Sequence, residues 1–243
     1  MNIGLAVAQF INNNLEHNLN NCFDFIKKAK TSNVDFLLFG ETYIQGFESL
    51  TWKPDEDLMV GIERKSKIMD MLRSCCNKEN MAIGIGYIER EEKKLYSSYL
   101  VIDKDGKDLM NYRRISRGWR TKNSDNSTYM EGTSFSVFDF MGYKMTAGLC
   151  GDFWTDEVIK KLPKDIDTVL WPVFVHWNKS QWEASTFSEY VEQSKKICKN
   201  IFYVNSICKE KKSLAYGGAF AIINNKIVAS LDQNKEEILI VNC

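Results

Sequence analysis

Val34-Asp35-Phe36-Leu37-Leu38-Phe39-Gly40-Glu41 is the stretch that decides the fold. A short apolar run that stops at a glycine has the length of a strand covered on both faces. The residues before it follow another period. Leu15, Leu19, Cys22, Phe23, Ile26 and Ala29 share one face of a helix. Ahead of that helix, Met1-Asn2-Ile3-Gly4-Leu5-Ala6-Val7-Ala8-Gln9-Phe10 reads as a first strand. It lacks a basic leading segment, and its apolar run is too short for a secretion signal or a membrane span, so a cytoplasmic protein is expected. Strand, helix and covered strand in that order point to a layered α/β fold.

The alternation continues to the other end. Residues 62–76 repeat the helical spacing, with Ile68, Leu72 and Cys75 on one stripe. Strands are expected at 81–88 and 95–102, and Asp103-Lys104-Asp105-Gly106 turns the second into another at 108–113. Residues 135–140 and 143–150 make a hairpin around Met141-Gly142. Thr155 is placed to cap a helix with Asp156 and Glu157 in its first turn. A strand at 167–173, a long helix at 181–199 and a strand at 201–207 follow. Strands at 217–223 and 226–231, turned at Asn224-Asn225, and a last one at 237–241 close the chain. No long linker or repeat interrupts the pattern, so residues 1–243 are expected to form one domain.

Of the 243 residues, 44% are hydrophobic, enough for the core of one large α/β domain. Lys and Arg number 32 and so do Asp and Glu, which gives no electrostatic reason to expect nucleic acid or an anionic membrane as partner. The seven cysteines are irregularly spaced without a C-x-x-C pair, and His17 and His176 have no metal-ligand spacing. Reduced thiols and no metal site are expected.

Three polar groups stand where apolar strands stop: Glu41 after 36–40, Arg113-Arg114 after 108–112, and Cys150 after 143–149. Strand ends in α/β proteins commonly face the crevice where ligands sit. Converging there, a carboxylate, a cation and a thiol would form a base, an electrostatic stabiliser and a nucleophile. Each also has a plainer reading: a loop or cap residue, a solvated edge, and an inert buried thiol.

The surrounding residues resemble those of the nitrilase superfamily, the carbon–nitrogen hydrolases. Phe39-Gly40-Glu41-Thr42-Tyr43-Ile44-Gln45-Gly46-Phe47 is similar to its first motif, a Glu followed by a Gly-aromatic pair. Tyr112-Arg113-Arg114 resembles its Tyr-Arg-Lys, and Asp125-Asn126-Ser127-Thr128-Tyr129-Met130-Glu131-Gly132 resembles the segment of the β-ureidopropionase branch. Gly148-Leu149-Cys150-Gly151-Asp152 resembles the family's Cys-Tyr-Asp region. Order and separation fit across nearly the whole chain.

The resemblance implies a four-layer α-β-β-α sandwich and hydrolysis of a small amide or nitrile without a metal or organic cofactor, with an amidase expected before a true nitrilase. It implies Glu41 as general base, Cys150 as nucleophile through a thioester, and the Gly151 N–H with a cation as oxyanion donors. A helix beginning near Thr155 would lower the thiol pKa. The family's lysine falls on Arg114, which keeps the charge but does not readily lend a proton. Asp125 stands where many members have a supporting Glu. Its side chain is shorter by roughly 1.5 Å, which suggests room for the longer Arg114 and a pairing between them. Gly151 replaces the usual Tyr and is expected to widen the pocket. Tyr43, Trp154, Phe174, His176 and Trp177 are its candidate walls, which would favour an apolar or planar substrate. A homodimer through the helices between Cys150 and Ile201 is implied, and the early stop after 237–241 argues against larger spiral assemblies. The rival reading is a catalytically weakened relative that binds an amide-like ligand or a partner.

Overall fold

Neighbouring residues of a strand face opposite ways, and here the two faces of the same strand enter two different cores. The computed structural model describes residues 1–243. In order, the chain forms β1 (Asn2–Ala6), α1 (Leu15–Thr31), β2 (Phe36–Leu38), α2 (Pro54–Val60), α3 (Lys67–Glu79), β3 (Ala82–Glu91), β4 (Lys94–Ile102) and β5 (Asp108–Arg113). Then come β6 (Val137–Phe140), β7 (Tyr143–Ala147), α4 (Asp156–Ile159), β8 (Thr168–Val173), α5 (Lys179–Gln181), α6 (Phe187–Ser194) and β9 (Ile201–Asn205). The short pair β10 (Ile207–Cys208) and β11 (Ala215–Tyr216) precedes β12 (Ala219–Ile223), β13 (Lys226–Leu231) and β14 (Ile238–Asn242).

The long strands make two six-stranded sheets, ordered β14-β1-β2-β3-β4-β5 and β13-β12-β9-β8-β7-β6. In each, three consecutive central strands are parallel and the outer pairings are antiparallel. Ile3, Leu5, Phe36, Leu38, Tyr99 and Val101 of the first sheet meet Met145, Leu170, Phe202 and Val204 of the second in one core. The alternate residues, Leu37, Phe39, Ile83, Ile85, Leu100 and Ile102, pack under Leu19, Cys22, Phe25 and Ile26 of α1 and Met69, Leu72 and Cys76 of α3. On the far side, Tyr190 of α6 lies over Trp171 and Tyr203 at ring separations of 5.1 Å, and Phe187 over Phe220 at 5.5 Å. The layers are therefore α-β-β-α, with β2 inside the sandwich.

Several boundaries differ from those read in the sequence. The helix expected at 181–199 is split by a wide π turn, Trp182–Thr186, and ends at Ser194. The helix after Thr155 has four residues, and the Thr155 hydroxyl donates to the Gly151 carbonyl instead of capping it. The helix α2, opened by Pro54, was not marked by an apolar stripe and is missed by periodicity.

At one end of the sandwich the two sheets are joined through the turn that follows β2. The Glu41 N–H donates to the Val173 carbonyl at the end of β8, 3.2 Å away. A Cβ added to Gly40 would stand 2.3 Å from the Ser206 hydroxyl. Gly86 of β3 lies directly beneath the turn, and a Cβ there would stand 2.4 Å from the Thr42 nitrogen and 2.5 Å from the Gly40 carbonyl. Both obstacles are backbone, so no side chain can move aside. Gly86→Ala is therefore expected to cost about 1–3 kcal/mol in denaturant unfolding and to displace Glu41. Wild-type stability in that variant would refute this close approach.

Candidate active site

Three strand ends and one turn bring the polar groups together. Glu41 is fully buried. Its Oε1 accepts from the Ser97 hydroxyl of β4 and from Arg114 Nη1, each at 2.9 Å, and its Oε2 is buried with no protein partner. Arg114 follows β5, continuing the ladder through its N–H to the Ser97 carbonyl. Alternation separates the two arginines: Arg113 turns outward to Glu89 and Glu91, and Arg114 turns inward and is 4% exposed. Its Nε donates to the Ser116 hydroxyl at 2.9 Å. The remaining nitrogen, Nη2, makes no hydrogen bond within the protein and lies beside Gly151 and Gly118.

Cys150 is three residues beyond the end of β7, in a 3-10 turn over Cys150–Trp154, with φ at +42°. A non-glycine residue held there stores strain of roughly 1–3 kcal/mol, which the surroundings must offset. They do so by fixing the turn on both sides. Trp171 Nε1 donates to the Cys150 carbonyl at 3.0 Å. Asp152, fully buried, accepts from the N–H groups of Leu149, Ile115 and Ser116 and from the Tyr112 hydroxyl at 2.6 Å. One carboxylate thus ties the turn bearing the thiol to the segment bearing the arginine.

Electrostatics follow from burial. Desolvation pushes the Cys150 thiol up to about 12, with the Glu41 carboxylate adding to the rise and Arg114 opposing it. The Glu41 carboxyl is also raised by burial, against the pull of Arg114 and Ser97. Burial works against the Arg114 charge, but Glu41 and Asp152 oppose it, and the guanidinium stays charged. The expectation that a helix end would lower the thiol is corrected: α4 is one turn long, and burial, with the Glu41 carboxylate adding to it, raises the thiol.

The thiol opens onto a cavity of about 230 Å³ lined by Phe47, Glu48, Trp52, Arg114, Gly118, Trp119, Cys150, Phe174 and His176. Phe174 and His176 were anticipated as walls. Tyr43 is not one: it is wholly buried beside Phe39, and its hydroxyl donates to the Gln9 carbonyl. Trp154 and Trp177, 43% and 38% exposed, lie outside the lining. Asp125 is exposed and spends its carboxylate on the Ser127 hydroxyl and the Thr128 N–H, which hold it down to about 2. Glu41 and Ser116 hold Arg114 instead, so the expected Asp125–Arg114 pair is corrected.

Sequence reasoning missed Ser97, Ser116 and the aromatic walls Phe47, Trp52 and Trp119. The one available signal was Ser97-Ser98 inside the otherwise apolar strand 95–102, since hydroxyls facing inward require partners. Gly151 does not widen the pocket either. A Cβ on it would stand 2.5 Å from Arg114 Nη2, so the guanidinium already fills that space. Arg114, tethered at Nε and Nη1, cannot withdraw freely. Gly151→Ala is expected to destabilise by about 1–3 kcal/mol and to cost less in an Arg114→Lys background. A double-mutant cycle by denaturant unfolding checks this, and strictly additive effects would show the two positions to be independent.

Comparison with known proteins adds a family to this geometry. The family model described as carbon–nitrogen hydrolase matches residues 4–243. The chain is 24% identical over 233 residues to a glutamine-dependent NAD(+) synthetase of Acinetobacter baylyi, covering 93% of this chain and 41% of that protein. It is 26% identical over 168 residues to an aliphatic nitrilase of Rhodococcus rhodochrous, covering 61% of this chain and 42% of that one. The chain thus spans less than half the length of these curated relatives. Among solved structures, an amidase from Nesterenkonia sp. AN1 superposes with a TM-score of 0.80 at 16% identity, covering 100% of this chain and 92% of that one.

Proposed function

Because the chain belongs to the carbon–nitrogen hydrolase family, we propose that it hydrolyses the amide bond of a small molecule, with Cys150 as nucleophile and Glu41 as base. The observation that carries this reading is the free Oε2 of a buried Glu41, in a site shared with a half-buried thiol and a fixed guanidinium. Burial disfavours two anions side by side, so the thiol proton passes to Glu41 rather than to solvent. The site then holds one negative charge opposite Arg114 before and after the transfer. Sulfur attacks the carbonyl carbon, and the oxyanion meets the unpartnered Nη2 of Arg114 and the Gly151 N–H. The C–N bond breaks as Glu41 returns the proton to the departing nitrogen. Water, deprotonated by Glu41, then cleaves the thioester and restores the thiol.

Arg114 takes the place of the family's lysine in this scheme as a charge and a donor, not as an acid. Asp152 positions the two strand ends without touching substrate. We further propose a single domain over 1–243, acting as a cytoplasmic homodimer; the exposed Trp154 and Trp177 suit a face between copies better than a substrate wall. No helix is long and apolar enough to cross a membrane.

Ammonia release from a panel of small primary amides tests the assignment. Cys150→Ala is expected to lower kcat/KM at least about a thousandfold, and Glu41→Gln by about 10²–10⁴-fold. Glu41→Gln also removes the group that takes the thiol proton and leaves the burial that raises it, so alkylation of Cys150 by iodoacetamide should slow together with turnover. Unchanged turnover in Glu41→Gln removes the base from the scheme. Wild-type alkylation is expected to rise about tenfold per pH unit from 8 to 10, because the thiolate fraction grows until pH approaches about 12. A plateau near pH 9 would contradict the buried, anion-flanked thiol. No release from any amide by the wild type favours the weakened binding relative.

A further inference from the structure

One charged group at the mouth of the cavity takes no part in the chemistry assigned to Cys150, Glu41 and Arg114. Glu48 lines the cavity, is exposed, and its carboxylate has no ion-pair or hydrogen-bond partner. The other ionisable lining groups are Arg114, Cys150 and His176. Arg114 is matched by Glu41, and the thiol is neutral, so Glu48 is the unbalanced charge of the cavity. Beside it the walls are aromatic: Phe47, Trp52, Trp119 and Phe174.

Glu48 is held in place by its backbone. Its N–H donates to Asn12 Oδ1 at 3.1 Å, and the Asn12 amide is anchored on Glu210 and on the Ser213 hydroxyl. Gly46, at φ +78°, brings the turn so close that a Cβ would stand 2.2 Å from Asn12 Oδ1. The Asn13 N–H reaches the Ser49 hydroxyl at 2.7 Å on the other side. A carboxylate on so fixed a turn presents a standing negative charge to whatever enters.

We infer that Glu48 makes the site selective for small primary amides that carry a positive charge, with the carboxylate holding a substrate ammonium group at the cavity mouth. This rests on the amide-hydrolase reading. At ~30 Å³ for each water's share of liquid volume, a cavity of about 230 Å³ takes a ligand of roughly seven or eight non-hydrogen atoms. That is the size of a short ω-amino amide. A substrate carboxylate would face Glu48 and could reach only Nη2 of Arg114, the donor the oxyanion needs, because Nη1 and Nε are held by Glu41 and Ser116.

The test compares 4-aminobutanamide with its uncharged isostere pentanamide and with the anion succinamate. Equilibrium binding is measured on Cys150→Ala, and turnover on the wild type. The cation is expected to bind about three- to fivefold tighter than pentanamide at low salt, the range for an exposed ion pair. The advantage should fade toward 1 M salt, and the anion should bind weakest. Adding Glu48→Gln should abolish the preference and Glu48→Lys should invert it. Repeating the comparison in His176→Asn removes the imidazole charge as a cause. A preference that survives Glu48→Gln overturns the inference, and so does no saturable binding of the cationic amide. Equal turnover of cation and isostere, with equal binding, overturns it while leaving the hydrolase intact. Charge-selective binding without ammonia release supports it and removes the hydrolase reading.

Discussion

The ion pair between Glu41 and Arg114 is the constraint on which the site depends. Both partners are almost wholly inside the protein, where an unpaired charge is unaffordable and removing one partner typically costs about 3–5 kcal/mol. The pair does not stabilise the fold efficiently, since a buried pair repays its own desolvation only with good geometry. Ser97 and Ser116 supply that geometry by holding one atom on each side. What the pair achieves is a fixed carboxylate with one oxygen left over. Burial, with the Glu41 carboxylate adding to it, keeps Cys150 protonated at rest.

The fold makes the pair possible by letting two sheets approach closely at one end. Gly40 and Gly86 leave out the Cβ atoms that would hold the Glu41 turn away from β3 and from the end of β8. Gly151 does the same for the guanidinium of Arg114. Arginine is longer and flatter than lysine, and its extra nitrogen occupies the place where residue 151 would carry a side chain. The arginine at 114 and the glycine at 151 are thus one feature, seen from two sides. Asp125, freed of any supporting duty, closes a surface turn.

The layers were legible because both faces of the inner strands are apolar, which a sequence displays directly at 34–39 and 167–173. β3, β4, β5 and the turn at Asn224-Asn225, both at positive φ, fell where alternation and turn chemistry placed them. The helix layer after Cys150 was less legible, since aromatic packing on Trp171 and Tyr203 tolerates a π turn that periodicity does not reveal. At the site, Glu41, Arg114 and Cys150 could be named because each interrupts an apolar run. Their partners could not. Ser97 and Ser116 are ordinary residues until register turns them inward, and the walls come from loops whose path no local pattern sets. Asp125 misled because a motif match fixes position along the chain but not the direction of a side chain.

The arginine at position 114 divides the labour of the site differently from the way a lysine would. An ammonium group can lend a proton to a departing amine, whereas a guanidinium held charged by Glu41 and Asp152 cannot. In the hydrolysis we propose, every proton that moves then passes through Glu41: from the thiol, to the leaving nitrogen, and from the water that completes the cycle. A group used in both directions must be neither strongly acidic nor strongly basic. Burial provides that compromise, raising the carboxyl while Arg114 and Ser97 restrain the rise. The same buried arginine that limits the proton route therefore helps to tune the one group left on it.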